Sequence, residues 1–238
     1  MKKSIALFTA AFAVVSAFAD EEVPRVPTPV QISFASPLQR PPFQRDVWGL
    51  RANILFGLSG DVYGLDAGLI GAADGDFGGI SAQGFNLVGG SAGGIQLGVA
   101  GNYVGKNFYG LQAGGILNMN LLAAYGVQLG AVNIDREFTG LRLGLVDYSH
   151  DVFDGWQLAA VNVNMADTVG ASWGAINYAR GNLTGAQIGL FNSIGGSASG
   201  FQLGVFNAAT DLTGVQIGIL NLNIASSLPI MAVLNARF

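Results

Sequence analysis

The sequence predicts an all-β fold, and three observations carry that prediction. One eight-residue phrase repeats: Gly214-Val215-Gln216-Ile217-Gly218-Ile219-Leu220-Asn221 is matched by Gly200 to Asn207 and by Gly185 to Asn192. Its leading glycine returns at Gly49, Gly64, Gly79, Gly94, Gly110, Gly126, Gly140, Gly155, Gly170, Gly185, Gly200 and Gly214, twelve copies 14 to 16 residues apart. So regular a period belongs to a repeat architecture. Each phrase also alternates. The last copy splits into Leu212, Gly214, Gln216, Gly218 and Leu220 on one side and Thr213, Val215, Ile217, Ile219 and Asn221 on the other, the two faces of a strand. Finally, a helix is excluded, because glycine at every fourth residue would cost roughly 1 kcal/mol each.

Both faces are nearly palindromic, apolar-Gly-Gln-Gly-apolar and polar-apolar-apolar-apolar-polar. An antiparallel array reads each neighbour backwards and needs such symmetry; a parallel stack does not. The expected architecture is therefore an antiparallel closed β-barrel of about 14 strands (12–16), built from twelve single-strand repeats of roughly 15 residues. The alternative is a β-solenoid with the apolar band inside and Gln and Asn ladders. In its favour, the connections after Gly49 lack the alternation of short turns and long outer loops usual in membrane barrels.

Taken in order, residues 1–19 read as a signal peptide: Lys2 and Lys3, an apolar run from Ile5 to Phe18, and the small-residue site Ala17-Phe18-Ala19. Residues 20–29 form an acidic, proline-rich lead. A single β-repeat domain spans 30–238. Val30 to Phe34 alternates as a first strand, and Pro37 to Arg45, with three prolines, reads as a loop. From Val47 each repeat offers about ten strand residues and a short turn. The copies at Gly94 and Gly110 carry an extra residue before Asn102 and Asn118, which reads as a bulge or a longer turn.

Composition narrows the class. Hydrophobic residues make up 50% and charged residues 11%, about half the usual charged share. There is no cysteine and one histidine, so thiolate and zinc chemistry is not expected. Past the signal peptide, nine Lys and Arg stand against fifteen Asp and Glu, a charge of −6, with Lys106 the one lysine left. Nothing in that balance attracts nucleic acid.

The chain ends with Ile230, Ala232, Leu234, Ala236 and Phe238 in alternation. This resembles the C-terminal signature of bacterial outer-membrane β-barrels, which implies that Phe238 is an assembly signal read by the barrel assembly machinery. Residues 30–238 also resemble a bacterial surface-repeat family with tandem Gly-x-Gln-x-Gly-x-x-Asn phrases after a signal peptide. The resemblance implies a location and no known activity. Ser81, Ser172, Asp66, Arg51 and Arg142 depart from it at the glutamine place, and Asp147 at the asparagine.

The residues at the glutamine place are the first candidates for a site: Arg51, Asp66, Ser81, Gln96, Gln112, Gln128, Arg142, Gln157, Ser172, Gln187, Gln202 and Gln216. In a barrel they line the lumen, as a narrow pore or as a network that plugs it. Phe191, Phe206 and Leu220 share their face and narrow it. Arg51 and Asp66 hold matching places on adjacent strands and could pair across the hairpin. Asparagines such as Asn133, Asn162 and Asn192 end their strands and read as turn residues; a stacked ladder of them would need a solenoid. Asp147-Tyr148-Ser149-His150-Asp151 holds serine, histidine and acid, yet adjacent residues in one turn do not converge as a triad. Asp74 and Asp76 lack the spacing of a calcium loop. Trp48, Trp156, Phe201, Tyr63, Tyr109 and Tyr125 fall on the apolar face, where a membrane interface would favour them.

The expected function is that of a non-enzymatic outer-membrane β-barrel, structural or a narrow passive pore, meeting outer-membrane lipid at the bacterial outer membrane or cell surface. The alternative is a secreted or surface-attached β-solenoid acting as an adhesin or scaffold. No cofactor and no metal is expected.

Overall fold

The strands alternate as expected, but they run in one direction. The structure, a computed structural model, describes residues 27–35, 38–40 and 45–238. The expected signal peptide and residues 20–26 of the lead lie outside the described residues. Long strands come first: β1 Thr28–Ala35, β2 Leu38–Arg40, β3 Val47–Ser59, β4 Val62–Ala73, β5 Phe77–Val88, β6 Ala92–Val104 and β7 Phe108–Leu143. Short ones follow: β8 Val146–Ser149, β9 Phe153–Leu158, β10 Val161–Asn164, β11 Thr168–Trp173, β12 Ile176–Ala179, β13 Leu183–Ile188, β14 Phe191–Ile194, β15 Ser197–Leu203 and β16 Phe206–Ala209. Two more close the chain, β17 Asp211–Asn223 and β18 Ile230–Arg237. Part of the expected loop is thus a strand, β2, while residues 36–37 and 41–44 lie outside the described residues.

Each repeat is one coil of a parallel β-solenoid. Gly140, Gly155, Gly170, Gly185, Gly200 and Gly214 stack in register along β7, β9, β11, β13, β15 and β17. Asn133, Asp147, Asn162, Asn177, Asn192, Asn207 and Asn221 do the same along β7, β8, β10, β12, β14, β16 and β17. Successive repeats pair only in parallel, which overturns the closed antiparallel barrel, its strand count and its single strand per repeat. The palindrome misled because a parallel stack sets like on like whatever the symmetry of the phrase. The second glycine is a corner. At Gly189 and Leu190, for example, the chain leaves β13 on one face and enters β14 on the other.

The column of first glycines shows why the coils stack so closely. All twelve have φ between +108° and +151°. A Cβ built on Gly155 would lie 2.0 Å from the carbonyl oxygen of Gly140, on the coil before. No side chain fits such an approach. The extra residue of β6 is absorbed as a bulge, where register passes from Gln83↔Gly98 to Phe85↔Gly101.

Antiparallel pairing occurs at the two ends. β2 pairs with β1, which itself lies parallel to β3. β18 runs back along β17 from Leu222↔Ile230 to Gly214↔Arg237. A stack of coils exposes a strand edge at each end, and these segments cover them. The apolar core is narrow: a column of smaller side chains on the second face, with Val88, Val104, Ala179, Ile194 and Ala209, packs with a column of inward side chains two residues before each glycine. The latter runs through Val47, Val62, Phe77, Phe108, Phe138 and Phe153, and resumes at Leu183 and Leu212. The remaining interior is polar.

Candidate functional site: an apolar skin over a polar interior

Strand alternation turns the glutamine column inward, and all twelve residues of that column are buried. Gln112 donates to Gln96 and Gln128 to Gln112, both at 3.1 Å. Further on, Gln202 donates to Gln187 at 3.0 Å and Gln216 to Gln202 at 2.8 Å. Asn235 of β18 closes the column by donating to Gln216 at 2.9 Å. These residues meet each other from coil to coil rather than around a ring.

The asparagines form a second inner ladder, a correction to the turn reading. The corner shifts the alternation by one residue, so Asn192 swings inward while Phe191 turns outward. For the same reason Phe191 and Leu220 are exposed and Phe206 half-buried, where the sequence placed all three inside. Each side-chain amide donates to the next asparagine at 2.7–2.8 Å, from Asn86 through Asn102 and Asn118 to Asn133, and from Asn162 through Asn177, Asn192 and Asn207 to Asn221. Most also donate to a backbone carbonyl of the next coil, as Asn177 does to Ile188 at 3.0 Å. A buried amide saturated in this way avoids the cost of an unmade hydrogen bond.

Two ionic clusters interrupt the ladders. Arg51 pairs with Asp66 as expected, though across parallel coils; its guanidinium also donates to Ser59 at 3.2 Å and to the Ala72 carbonyl at 2.6 Å. Arg142 lies against the stacked rings of Phe138 and Phe153, whose centres are 5.8 Å apart, its central carbon 4.8 and 5.2 Å from those centres. It donates to Asp135 at 3.0 Å and to Ser149 and Gln157 at 2.9 Å. Its Nε lies 3.5 Å from Asp147 Oδ2, and neither atom has a hydrogen-bond partner. One arginine thus faces two carboxyls. Burial pushes Asp135 up, and it pushes Asp147 up to about 6 despite the opposing pull of Arg142.

The outside inverts the usual order. Val99 is 81% exposed, Ile219 73%, Ile116 64% and Leu145 63%. Apolar side chains cover both faces and the corner edge between them. In the solenoid the Val215-Ile217-Ile219 band therefore lies outside, not inside. Where the corner residues of successive coils are small, an apolar furrow of about 830 Å³ opens beside Leu69, Gly84, Leu97, Val99, Gly115 and Leu129.

The opposite edge is polar and has its own column, which sequence reasoning missed. Asp46 accepts from the backbone N–H of Asp61 and Asp61 from that of Asp76, both at 2.8 Å, and Asp76 accepts from Ser91 at 2.7 Å. Asp167, Asn182 and Ser197 repeat the pattern. The signal was available as a short polar residue three places before nine of the twelve column glycines, the exceptions being Ala123, Glu137 and Val152. Here His150 is exposed, 2.9 Å from Asp151, while Ser149 is buried and bonded to Arg142. Serine and histidine point to opposite sides of the wall, so no triad forms. Asp74 and Asp76 belong to this edge, and no metal-binding group of acids or histidine occurs among the described residues. Phe238 follows β18 and is exposed; its strand caps a coil rather than closing a barrel.

No family model, no curated protein and no solved structure matches this chain.

Proposed function

We propose that the protein is a secreted or surface-attached β-solenoid that acts as a non-enzymatic scaffold, presenting a long uniform surface. The observation that carries this reading is how the polar side chains are used. Gln, Asn, Ser, Arg and Asp, the residues able to do chemistry, bond to one another in columns inside the coil. The outer wall offers repetition instead: the same apolar positions recur coil after coil, as suits an extended binding surface. The export signature at residues 1–19 and the tandem phrases shared with bacterial surface-repeat proteins support a place outside the cytoplasm.

Surface digestion of intact cells with a protease, together with fractionation, tests the location. Loss of the protein from intact cells is the expected result, and full protection together with a cytoplasmic fraction would overturn it. Small-angle scattering tests the shape: twelve coils at about 4.8 Å each make a rod roughly 58 Å long.

A further inference from the structure

The rod is divided lengthwise into two chemistries. Among the described residues, Arg51, Asp66, Asp135, Arg142 and Asp147 are buried inside. Of the other charged side chains that are described, Asp154 stands one residue before Gly155 on the first face and the rest lie along the turn edge or in the C-terminal cap, as with Asp61, Lys106, Arg136 and Arg180. The outward positions from just after the column glycine, round the corner and up the second face carry none. This uncharged zone wraps a convex edge and takes in parts of both faces. A second copy or another flat protein surface would cover one face and leave the rest in water. A fluid apolar phase covers all of it.

Dimensions and margins agree. From Val215 to the corner at Ile219, five residues span about 16 Å at roughly 3.3 Å each, against about 15 Å for the hydrocarbon half of one leaflet. Where the uncharged zone meets the turn edge, aromatic residues gather. Trp48, Tyr63, Tyr109 and Tyr125 lie along one face, with Tyr109 and Tyr125 stacked at 5.1 Å, and Tyr148 and Tyr178 lie along the other. Such rings favour the boundary between hydrocarbon and water. We propose that the corner edge is a keel that inserts lengthwise into one leaflet of a lipid bilayer, leaving the turn edge in water. The proposal rests on the surface-attached solenoid reading and adds the partner and the mode of attachment.

The three tryptophans provide a depth gauge. Trp48 sits one residue before its column glycine, Trp156 one after and Trp173 three after, and all three are exposed, at 58%, 60% and 41%. The full-length purified protein is mixed with phosphatidylcholine vesicles and floated on a gradient. Single-tryptophan variants, the other two changed to Phe, are then quenched by lipids brominated at different chain depths. Flotation is expected, with Trp173 quenched by the deepest bromines and Trp48 by the shallowest. A triple variant, Val99→Glu, Leu145→Glu and Leu190→Glu, places charge on the keel at exposed positions where folding does not need the apolar group. It should keep its β circular dichroism and rod shape and lose at least about tenfold in vesicle-bound fraction. Three results would overturn the proposal: no flotation of the native protein, equal quenching at all depths, or full binding by the folded triple variant. A detergent-free dimer that ignores vesicles would assign the surface to a second copy. A rod that fails to float sinks the keel and leaves the scaffold reading standing; a compact particle sinks both.

Discussion

Asp147 is where the inner ladder breaks, and the break explains its titration. Asn133 donates to Asp147 Oδ1 at 2.8 Å, but a carboxylate has no N–H to pass on. Asn162, its register partner on the next coil, is left with an unpartnered Oδ1. A protonated Asp147 can donate where an asparagine would, which suits a folded-state value raised to about 6 from 3.8. Because the folded value is the higher one, the stabilisation is complete below pH 3.8 and is lost as pH rises through about 6. That difference corresponds to something on the order of 2–3 kcal/mol. Asp147→Asn should restore the donor at every pH. Denaturant unfolding from pH 4 to 7 should show a variant more stable than the native protein at pH 7, with a flatter profile. An unchanged slope would remove Asp147 as the cause. Glycines make a second contrast. Gly155→Ala places a Cβ 2.0 Å from a backbone oxygen at φ +138°, whereas a Cβ on Gly93 meets nothing nearer than 4.0 Å. The first substitution should cost more than about 2 kcal/mol and the second less than about 0.5 kcal/mol, measured by the same unfolding.

At the scale of elements, the closing strand has the clearest role. β18 pairs antiparallel with β17 around its corner, Asn235 ends the glutamine ladder, and Arg237 pairs with Asp211. Removing residues 230–238 leaves the backbone edge of β17 open, an edge that matches the start of any coil. The shortened protein should associate end to end, with larger species by light scattering while its circular dichroism stays β; a monodisperse monomer would show that β18 is not the guard. The sequence carried much of what these elements do. The period, the inward glutamines, the pairing of Arg51 with Asp66 and the bulge before Asn102 all follow from spacing and alternation. Strand direction did not, because a palindromic phrase has the same faces read either way. The corner was equally hidden: a Gly within an alternating run reads as strand until the register of Asn192 on Asn177 shows the chain has turned. Two ladders running at one period were the available sign, since stacked asparagines require every copy to face the same way.

For the whole molecule, the same register makes each coil a replaceable unit. Every coil touches only its neighbours, so stability is close to a sum of coil and interface contributions. Residues 183–197 form one complete coil, from Leu183 to Ser197, which pairs with Thr168 to Asn182 before it and with Ala198 onward after it. Deleting all fifteen joins Asn182 to Ala198 and places Leu212, Gln202 and Asn207 in columns already occupied by their counterparts. Gly170 meets Gly200, and Asn177 meets Asn207. Gln202 then faces Ser172 as Gln187 does in the native protein, so the columns re-form without a new kind of neighbour. Deleting only the half coil 183–189 instead brings β14 onto the face of β11 and sets Asn192 in the place of Gly185, where the column needs a glycine. The complete deletion should therefore unfold cooperatively near the native midpoint and give a rod shorter by about 4.8 Å in scattering, while the half deletion should fail to yield a soluble or cooperatively unfolding protein. Equal tolerance of both deletions would mean that the columns do not set the register, and the one-dimensional description of this fold would have to be abandoned.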